Sequence, residues 1–356
     1  MIETKRYFDI RQVENAEVTT YTLMTIDDVE LTLTRVQRSS DTDAVLMLHG
    51  LSSSSKMFTG REWYNLTCYM IDHGIGDVWL LDWRGSAEYG TKYVHREDSA
   101  DDVAFKDIPL AVEFIQQQIE NGLHIIGHCI GAMTLSMALA KGTIQHVKSA
   151  IITSIGLFPK LNNLTTAKLY AVPQLAEKLL DIDYFSMNAD QVNPQDGQFM
   201  IHQLANLGSN ECEHPTCKML SFVWGTGHES TIFKHKHLPK ETHERLEEYF
   251  GAVSSSYFRH FQKMLQHQAV VNTDASENYL DQVENIKTPM LLMTGKDNRC
   301  WHDAIQEYAK LLDRFFPSVN YEKFVIPDYS HNDVFMGKNA YLDVFPEVLA
   351  FIKKYS

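Results

Sequence analysis

Gly127-His128-Cys129-Ile130-Gly131 sets one cysteine between two glycines, each two positions away. This is the G-x-S-x-G form of a nucleophile elbow, with sulfur in place of the serine oxygen. A thiol attacks only as its thiolate, which a helix N-terminus or a neighbouring histidine stabilises. The run before it, Leu123-His124-Ile125-Ile126, is short, apolar and partly β-branched, which predicts a strand. The run from Ala132 to Ala140 predicts a helix. A strand, a sharp turn and a helix hold the sulfur up above a sheet, and the tightness of the turn calls for Gly127 and Gly131. Cys129 is the expected nucleophile, and the chemistry it suits is acyl transfer through a thioester.

Such a nucleophile needs a base, an acid that orients the base, and donors for the developing oxyanion. Thr288 to Asp297 reads as an apolar strand ending in a turn with a carboxylate. Tyr321 to Pro327 reads as a further strand, running into the polar turn Asp328-Tyr329-Ser330-His331-Asn332-Asp333. His331 is expected as general base toward the thiol and then general acid toward the leaving group, with Asp297 holding the imidazole. Asp303, Asp328 and Asp333 compete with Asp297, which is preferred because it follows its strand directly. Upstream, Ala44 to Leu48 reads as a buried strand entering His49-Gly50-Leu51. The backbone N–H groups of Leu51 and Ile130 are the expected oxyanion donors. His49 and His128 are read as structural support, not as bases.

Nucleophile, acid, histidine is the chain order of α/β-hydrolases, and the other elements agree with that order. Val18 to Gln37 reads as a β-hairpin about Asp27-Asp28, and Gly76 to Asp82 as a strand. Residues 63–72 and 107–120 read as helices, and Val147 to Ser154 as the next strand. Alternating strands and helices predict a mostly parallel sheet flanked by helices, the α/β-hydrolase fold. The alternation stops near Phe158 and resumes near Ile286. The expected organisation is therefore a core of residues 1–157 and 286–356, with a helical cap, 158–285, inserted between core strands. Thr165–Leu180 and Lys240–Gln268 carry the cap's helical patterns.

Bulk properties narrow the classes. The chain has 356 residues, 44% hydrophobic and 22% charged, as in an ordinary globular protein. A net charge of −14 offers no basic stripe for nucleic acid. The N-terminal residues lack the apolar stretch of a signal peptide, and no run is apolar enough to span a bilayer. The five cysteines are odd in number and scattered, unlike a disulfide framework, so a cytoplasmic location is expected.

Further stretches carry a resemblance: Asp82-Trp83-Arg84-Gly85-Ser86, His128-Cys129-Ile130-Gly131-Ala132-Met133-Thr134, Cys212-Glu213-His214-Pro215-Thr216-Cys217, and Ser330 to Asp333 with Phe335 to Ala340. With these the chain resembles the α/β-hydrolase domain found fused behind flavin-dependent GMC oxidoreductases of the cholesterol-oxidase type. The resemblance runs from His49 to the C-terminus. It implies the fold, the triad, and by analogy with that fusion a hydrophobic, lipid-like acyl substrate. The chain carries no flavin domain and no G-x-G-x-x-G after a strand, so oxidase chemistry is not implied. The His49-Gly50-Leu51-Ser52-Ser53-Ser54 loop is similar to that of lipid-ester hydrolases of the acid-lipase type. The Cys-Asp-His set is similar to that of polyhydroxyalkanoate synthases and dienelactone hydrolases.

The resulting expectation is an enzyme acting on a small hydrophobic ester or thioester, free or carrier-bound, without cofactor or metal. Thioesterase, lactone hydrolase and acyltransferase all remain open, because a thiolate leaves readily toward water or another acceptor. The alternative from another class is a non-catalytic hydrolase-fold module that binds a hydrophobic ligand or partner. Cys212-x-His214-x-x-Cys217 has metal-like spacing but no fourth ligand in reach of the sequence, so packing of the cap is expected there. His235-x-His237 reads as a solvated loop. Asp82 and Arg84 are expected to brace a turn. Tyr170, Tyr184, Phe185, Met187, Met219, Phe222 and Trp224 are expected in the cap core or lining an apolar acyl pocket.

Overall fold

The computed structural model describes residues 10, 13–189, 192–193, 195–208, 212–225 and 232–356. β1 (Glu17–Met24) and β2 (Glu30–Gln37) form the antiparallel hairpin, with Tyr21 opposite Leu33. β2 pairs antiparallel with β4 (Asp77–Asp82), across which lies β3 (Ala44–Leu48). β5 (Leu123–His128), β6 (Val147–Thr153), β9 (Met290–Gly295) and β10 (Tyr321–Ile326) complete an eight-stranded sheet of order β1-β2-β4-β3-β5-β6-β9-β10. From β4 to β10 every pairing is parallel. β3 and β5 are buried along their whole length, as central strands covered on both faces must be.

The sheet is covered by helices: α1 (Leu66–Asp72), α2 (Ile108–Gln116), α3 (Ile130–Lys141), α8 (Ala304–Phe315) and α9 (Phe345–Lys354). Between β6 and β9 the chain builds α4 (Asn163–Leu180), α5 (Gly197–Gly208), α6 (Pro215–Trp224) and α7 (Ser255–His267). The helical pattern expected over 240–268 is interrupted. A single turn at Lys240–His243 and a 3₁₀ turn at Leu246–Glu248 come first. Then Val253–Ser254 (β8) pairs with Tyr184–Phe185 (β7) before α7 starts. The break has two causes. Gly251 lies so close to Ala87 that a Cβ would meet its Cα at 2.9 Å, and its N–H donates to Ser52 O at 2.9 Å. Ser254 then accepts from the Ser256 N–H and caps α7. Tertiary contacts with the core have overridden a helical period.

One buried ion cluster ties the hairpin to the helical layer. The guanidinium of Arg84, fully buried, donates to Asp107, Asp98 and Asp27. These carboxylates come from the residues before α2, the preceding loop and the hairpin turn. Burial pushes Asp107 up to about 6 despite its pairing with Arg84. Asp82 braces the neighbouring loop by accepting from the Ser55 N–H at 2.9 Å and from the Ser55 and Ser86 hydroxyls at 2.7 Å each. Removing one partner of a buried ion cluster strands the others without water. Arg84→Met should therefore cost about 3–5 kcal/mol. Urea unfolding checks it: a loss under about 1 kcal/mol would show that the carboxylates find other partners.

Candidate active site

Cys129 takes the elbow conformation, φ 53° and ψ −122°, a left-handed backbone that a non-glycine residue adopts only under constraint. Its N–H donates to Thr153 O of β6 at 3.0 Å, and its carbonyl accepts from Ala132 and Met133 at 3.0 Å each. The flanking glycines are forced by contact. A Cβ on Gly127 would meet Ala132 Cα at 2.6 Å, and one on Gly131 would meet His49 O at 2.5 Å. The sulfur thus stands at the N-terminus of α3, where orphan N–H groups favour an anion.

His331 reaches Cys129 from the loop after β10, although their sequence positions lie far apart. Desolvation would push the Cys129 thiol up. The Cys300 thiol hydrogen bond, together with the charge and hydrogen bond of His331, outweighs it and holds the thiol well below its ordinary value. The His331 loop is pinned by the Ser330 N–H donating to Asp333 Oδ1 at 2.9 Å and by the Asn332 N–H donating to Ile232 O at 2.5 Å. Asp333 is fully buried, and burial raises it to about 7. His128 packs its ring 4.7 Å from that of His331 and bonds Asn332 Oδ1 through Nε2 at 2.8 Å. Burial, then the His331 charge, push His128 down to about 3, so it stays neutral beside the nucleophile.

The loop His49 to Ser55 runs over the sulfur. A Cβ on Gly50 would meet Cys129 Cβ at 3.0 Å, so the crossing is tight and favours glycine. His49 is fully buried, donates from Nδ1 to Gly50 O at 2.8 Å and stacks on Trp83 at 4.8 Å. Trp83 in turn donates to His49 O at 3.1 Å. His49 is therefore a support of the loop. Among the described residues, no hydrogen-bond acceptor takes the N–H of Leu51 or of Ile130. Both expected oxyanion donors are free to bind a substrate oxygen.

The sequence matches the Alpha/beta hydrolase family over residues 45–341. The chain belongs to that family. Solved structures share the fold of this hydrolase at low identity. A highly thermostable carboxyl esterase from Bacillus coagulans superposes with a TM-score of 0.60 at 10% identity, covering 95% of this chain and 98% of its own. A structure of carboxylesterases from Nitrososphaera gargenis gives 0.58 at 14% identity, with 94% and 99% covered. DcsB, solved with a substrate analogue, gives 0.58 at 12% identity, with 96% and 100% covered. No curated protein matches the sequence.

The segment between β6 and β9 meets the core of the hydrolase at Cys129. A small pocket is bounded by Gly50, Leu51, Cys129, Cys300 and His331 from the core and by Trp224, Ile232 and Phe250 from the cap. Trp224 donates to Ser52 Oγ at 3.2 Å, so the cap bears directly on the oxyanion loop. A second small, apolar pocket is lined by Leu169, Val172, Phe185, Phe222, Val223 and Phe258. Phe258 packs against Trp224 at 5.4 Å, so the two pockets share a wall. Of the aromatic cap residues singled out, Phe185 and Phe222 line the apolar pocket and Trp224 the catalytic one. Met187 and Met219 are fully buried in the core.

Asp297 is the residue the structure does not bring to its expected partner. Its backbone is in place, with the N–H donating to Tyr329 O at 2.9 Å and the carbonyl accepting from Ser330 Oγ at 3.3 Å. Its carboxylate, 42% exposed, pairs instead with Lys234 Nζ from the cap. His331 Nδ1 is buried without a hydrogen-bond partner. The triad expected from sequence is therefore a Cys129–His331 dyad, with the acid turned toward a cap lysine. The cause is local charge. Lys234 lies between Asp297 and Asp328, which it also binds at 2.7 Å.

Cys300 is the site residue that the sequence reading missed. Its thiol is pushed well above the ordinary value, first by its hydrogen bond to Cys129 and then by burial. It therefore remains a neutral donor to the nucleophile. The signal for it was its place three residues after Asp297, on the same strand-end loop. Since Cys300 lowers the Cys129 thiol, Cys300→Ala should raise it. The acid limb of kcat/KM then moves to higher pH by about 0.7, as expected for a net hydrogen bond of about 1 kcal/mol. A pH–rate profile with an unmoved acid limb would remove Cys300 from the site.

The cap cysteines and histidines come together in pairs. His235 lies in an exposed turn, as expected, with its imidazole against Cys217. Cys212 Sγ lies 3.2 Å from His243 Nε2, and Cys217 Sγ lies 3.5 Å from His235 Nε2. His237 stacks on Tyr329 at 4.4 Å and donates to Asp328 O at 2.8 Å.

Proposed function

We propose that this hydrolase transfers a hydrophobic acyl group from a small ester or thioester through a thioester on Cys129. The observation that carries the reading is the strained elbow cysteine whose thiol is lowered by Cys300 and His331 beneath a cap. The thiolate attacks the carbonyl carbon, and the N–H groups of Leu51 and Ile130 take the oxyanion. The tetrahedral adduct collapses, and His331 protonates the departing alcohol or thiol. His331 then deprotonates water or an acceptor, which attacks the thioester and returns the thiolate. Asp297 completes the triad when its carboxylate leaves Lys234 for His331 Nδ1. The carboxyl esterases among the structural relatives agree with ester chemistry. The apolar second pocket, the exposed Leu164, Leu175 and Leu179 of α4 and the resemblance to domains fused to sterol-type oxidases support a lipid-like acyl chain.

The diversion of Asp297 to Lys234 favours a second reading, in which the fold binds a hydrophobic ligand without turning it over. Intact-mass measurement after incubation with a panel of acyl thioesters and activated esters separates the two. An acyl adduct that maps to the Cys129 peptide and decays with product release supports transfer. Binding of the same compounds with neither adduct nor product sinks it.

A further inference from the structure

We propose that Cys212, Cys217, His235 and His243 form a structural zinc site in the cap, independent of the catalytic cysteine. The four potential ligand atoms all lie within 4.8 Å of one another. A tetrahedral zinc with bonds of about 2.3 Å to sulfur and 2.0–2.1 Å to nitrogen requires ligand–ligand edges of roughly 3.3–3.8 Å. The two sulfur–nitrogen separations, 3.2 and 3.5 Å, are already near that length. Both imidazoles offer Nε2, the atom a neutral histidine can leave unprotonated for a metal.

The chemistry of the set selects the ion. Two thiolates and two imidazoles in a tetrahedral arrangement suit zinc and give no site for a hard cation such as magnesium or calcium. On binding, each thiol loses its proton to solvent, and two thiolates neutralise the divalent charge. All four positions are filled by protein, so the ion has no open position for substrate water. The first pair has the C-x₄-C spacing of structural zinc sites, with Cys217 in the first turn of α6. His214, which the spacing alone suggested as a ligand, instead donates its backbone N–H to Cys212 Sγ at 3.3 Å. That contact orients the sulfur and offsets part of its charge.

The position of the site explains its use. One pair of ligands stands at the start of α6, whose last residue, Trp224, bounds the catalytic pocket. The other pair starts at His235, directly after Lys234, the partner of Asp297, and three residues after Ile232, which lines the pocket over Cys129. An ion held by all four therefore fixes two cap segments that meet over Cys129. Short loops and a single helical turn do not bury enough surface to do this alone.

The test is metal content and cobalt spectroscopy on the full chain. Protein produced in zinc-supplemented medium should carry about one zinc per chain by plasma mass spectrometry. Cobalt replacement should give the intense visible bands of a tetrahedral thiolate-ligated ion. Cys217→Ser and His243→Ala should lower metal content to under about a tenth, while Cys129→Ala/Cys300→Ala should keep it in full. Chelation should speed proteolysis within the cap while leaving the core intact. Metal-free wild-type protein with no cobalt spectrum would overturn the proposal. So would metal that disappears with Cys129 and Cys300, or stoichiometric iron or copper in place of zinc. The wild-type measurements keep the result decisive even if a ligand variant fails to fold.

Discussion

Cys129→Ala should abolish acyl turnover, by about 10⁴-fold or more, while the protein still folds and binds substrate. The side chain lost is the nucleophile, and no other group in the pocket can replace it. Cys300 keeps its proton, and His128 is neutral and bonded to Asn332. Cys129→Ser should also lose most turnover, because a serine hydroxyl demands a better aligned base than a thiol does. His331 Nδ1 has no partner to align it. What remains should tilt toward hydrolysis of activated esters, since an oxygen ester is a poorer donor than a thioester. Product partitioning between water and an added acceptor measures this. If Cys129→Ser matched wild type on thioesters with unchanged partitioning, sulfur would have no special role. Full activity in Cys129→Ala would overturn the elbow assignment.

His331→Gln should cost roughly 10³–10⁴-fold in kcat, since it removes both the partner of the thiolate and the proton donor to the leaving group. Asp297→Asn tests whether the carboxylate turns to His331 during catalysis, and a fall in kcat of about 10–100-fold is expected. Lys234→Met provides the comparison, because it breaks the Lys234–Asp297 pair without touching the dyad. If Asp297 acts on His331, Lys234→Met leaves kcat unchanged or raises it. An equal loss in both variants would show that Asp297 works only as an anchor for the cap.

Most of the fold was legible because it rests on local patterns. Ala44–Leu48 and Leu123–His128 are apolar throughout, as strands covered on both faces must be, and Gly127 and Gly131 mark a turn that no side chain could enter. Chain order then put Cys129 and His331 at strand ends on the same edge of the sheet, since parallel strands bring their C-terminal loops to one side. Sequence alone thus determined the core, the elbow that carries Cys129, the loop that carries His331 and the His49–Gly50 loop over them. It could not determine what depends on pairing between distant segments. Cys300 sits beside Cys129 within the core, Asp297 is drawn to Lys234 across the cap boundary, and His235 and His243 come up to Cys212 and Cys217 within the cap. A helical period at 240–268 likewise gave way at Gly251, which the core holds against Ala87 and Ser52. Hydrophobic periodicity reports which face of one element is buried. Which charged or sulfur groups then meet is fixed only when the whole chain has folded, because their attraction is short-ranged in water and leaves no trace in local sequence.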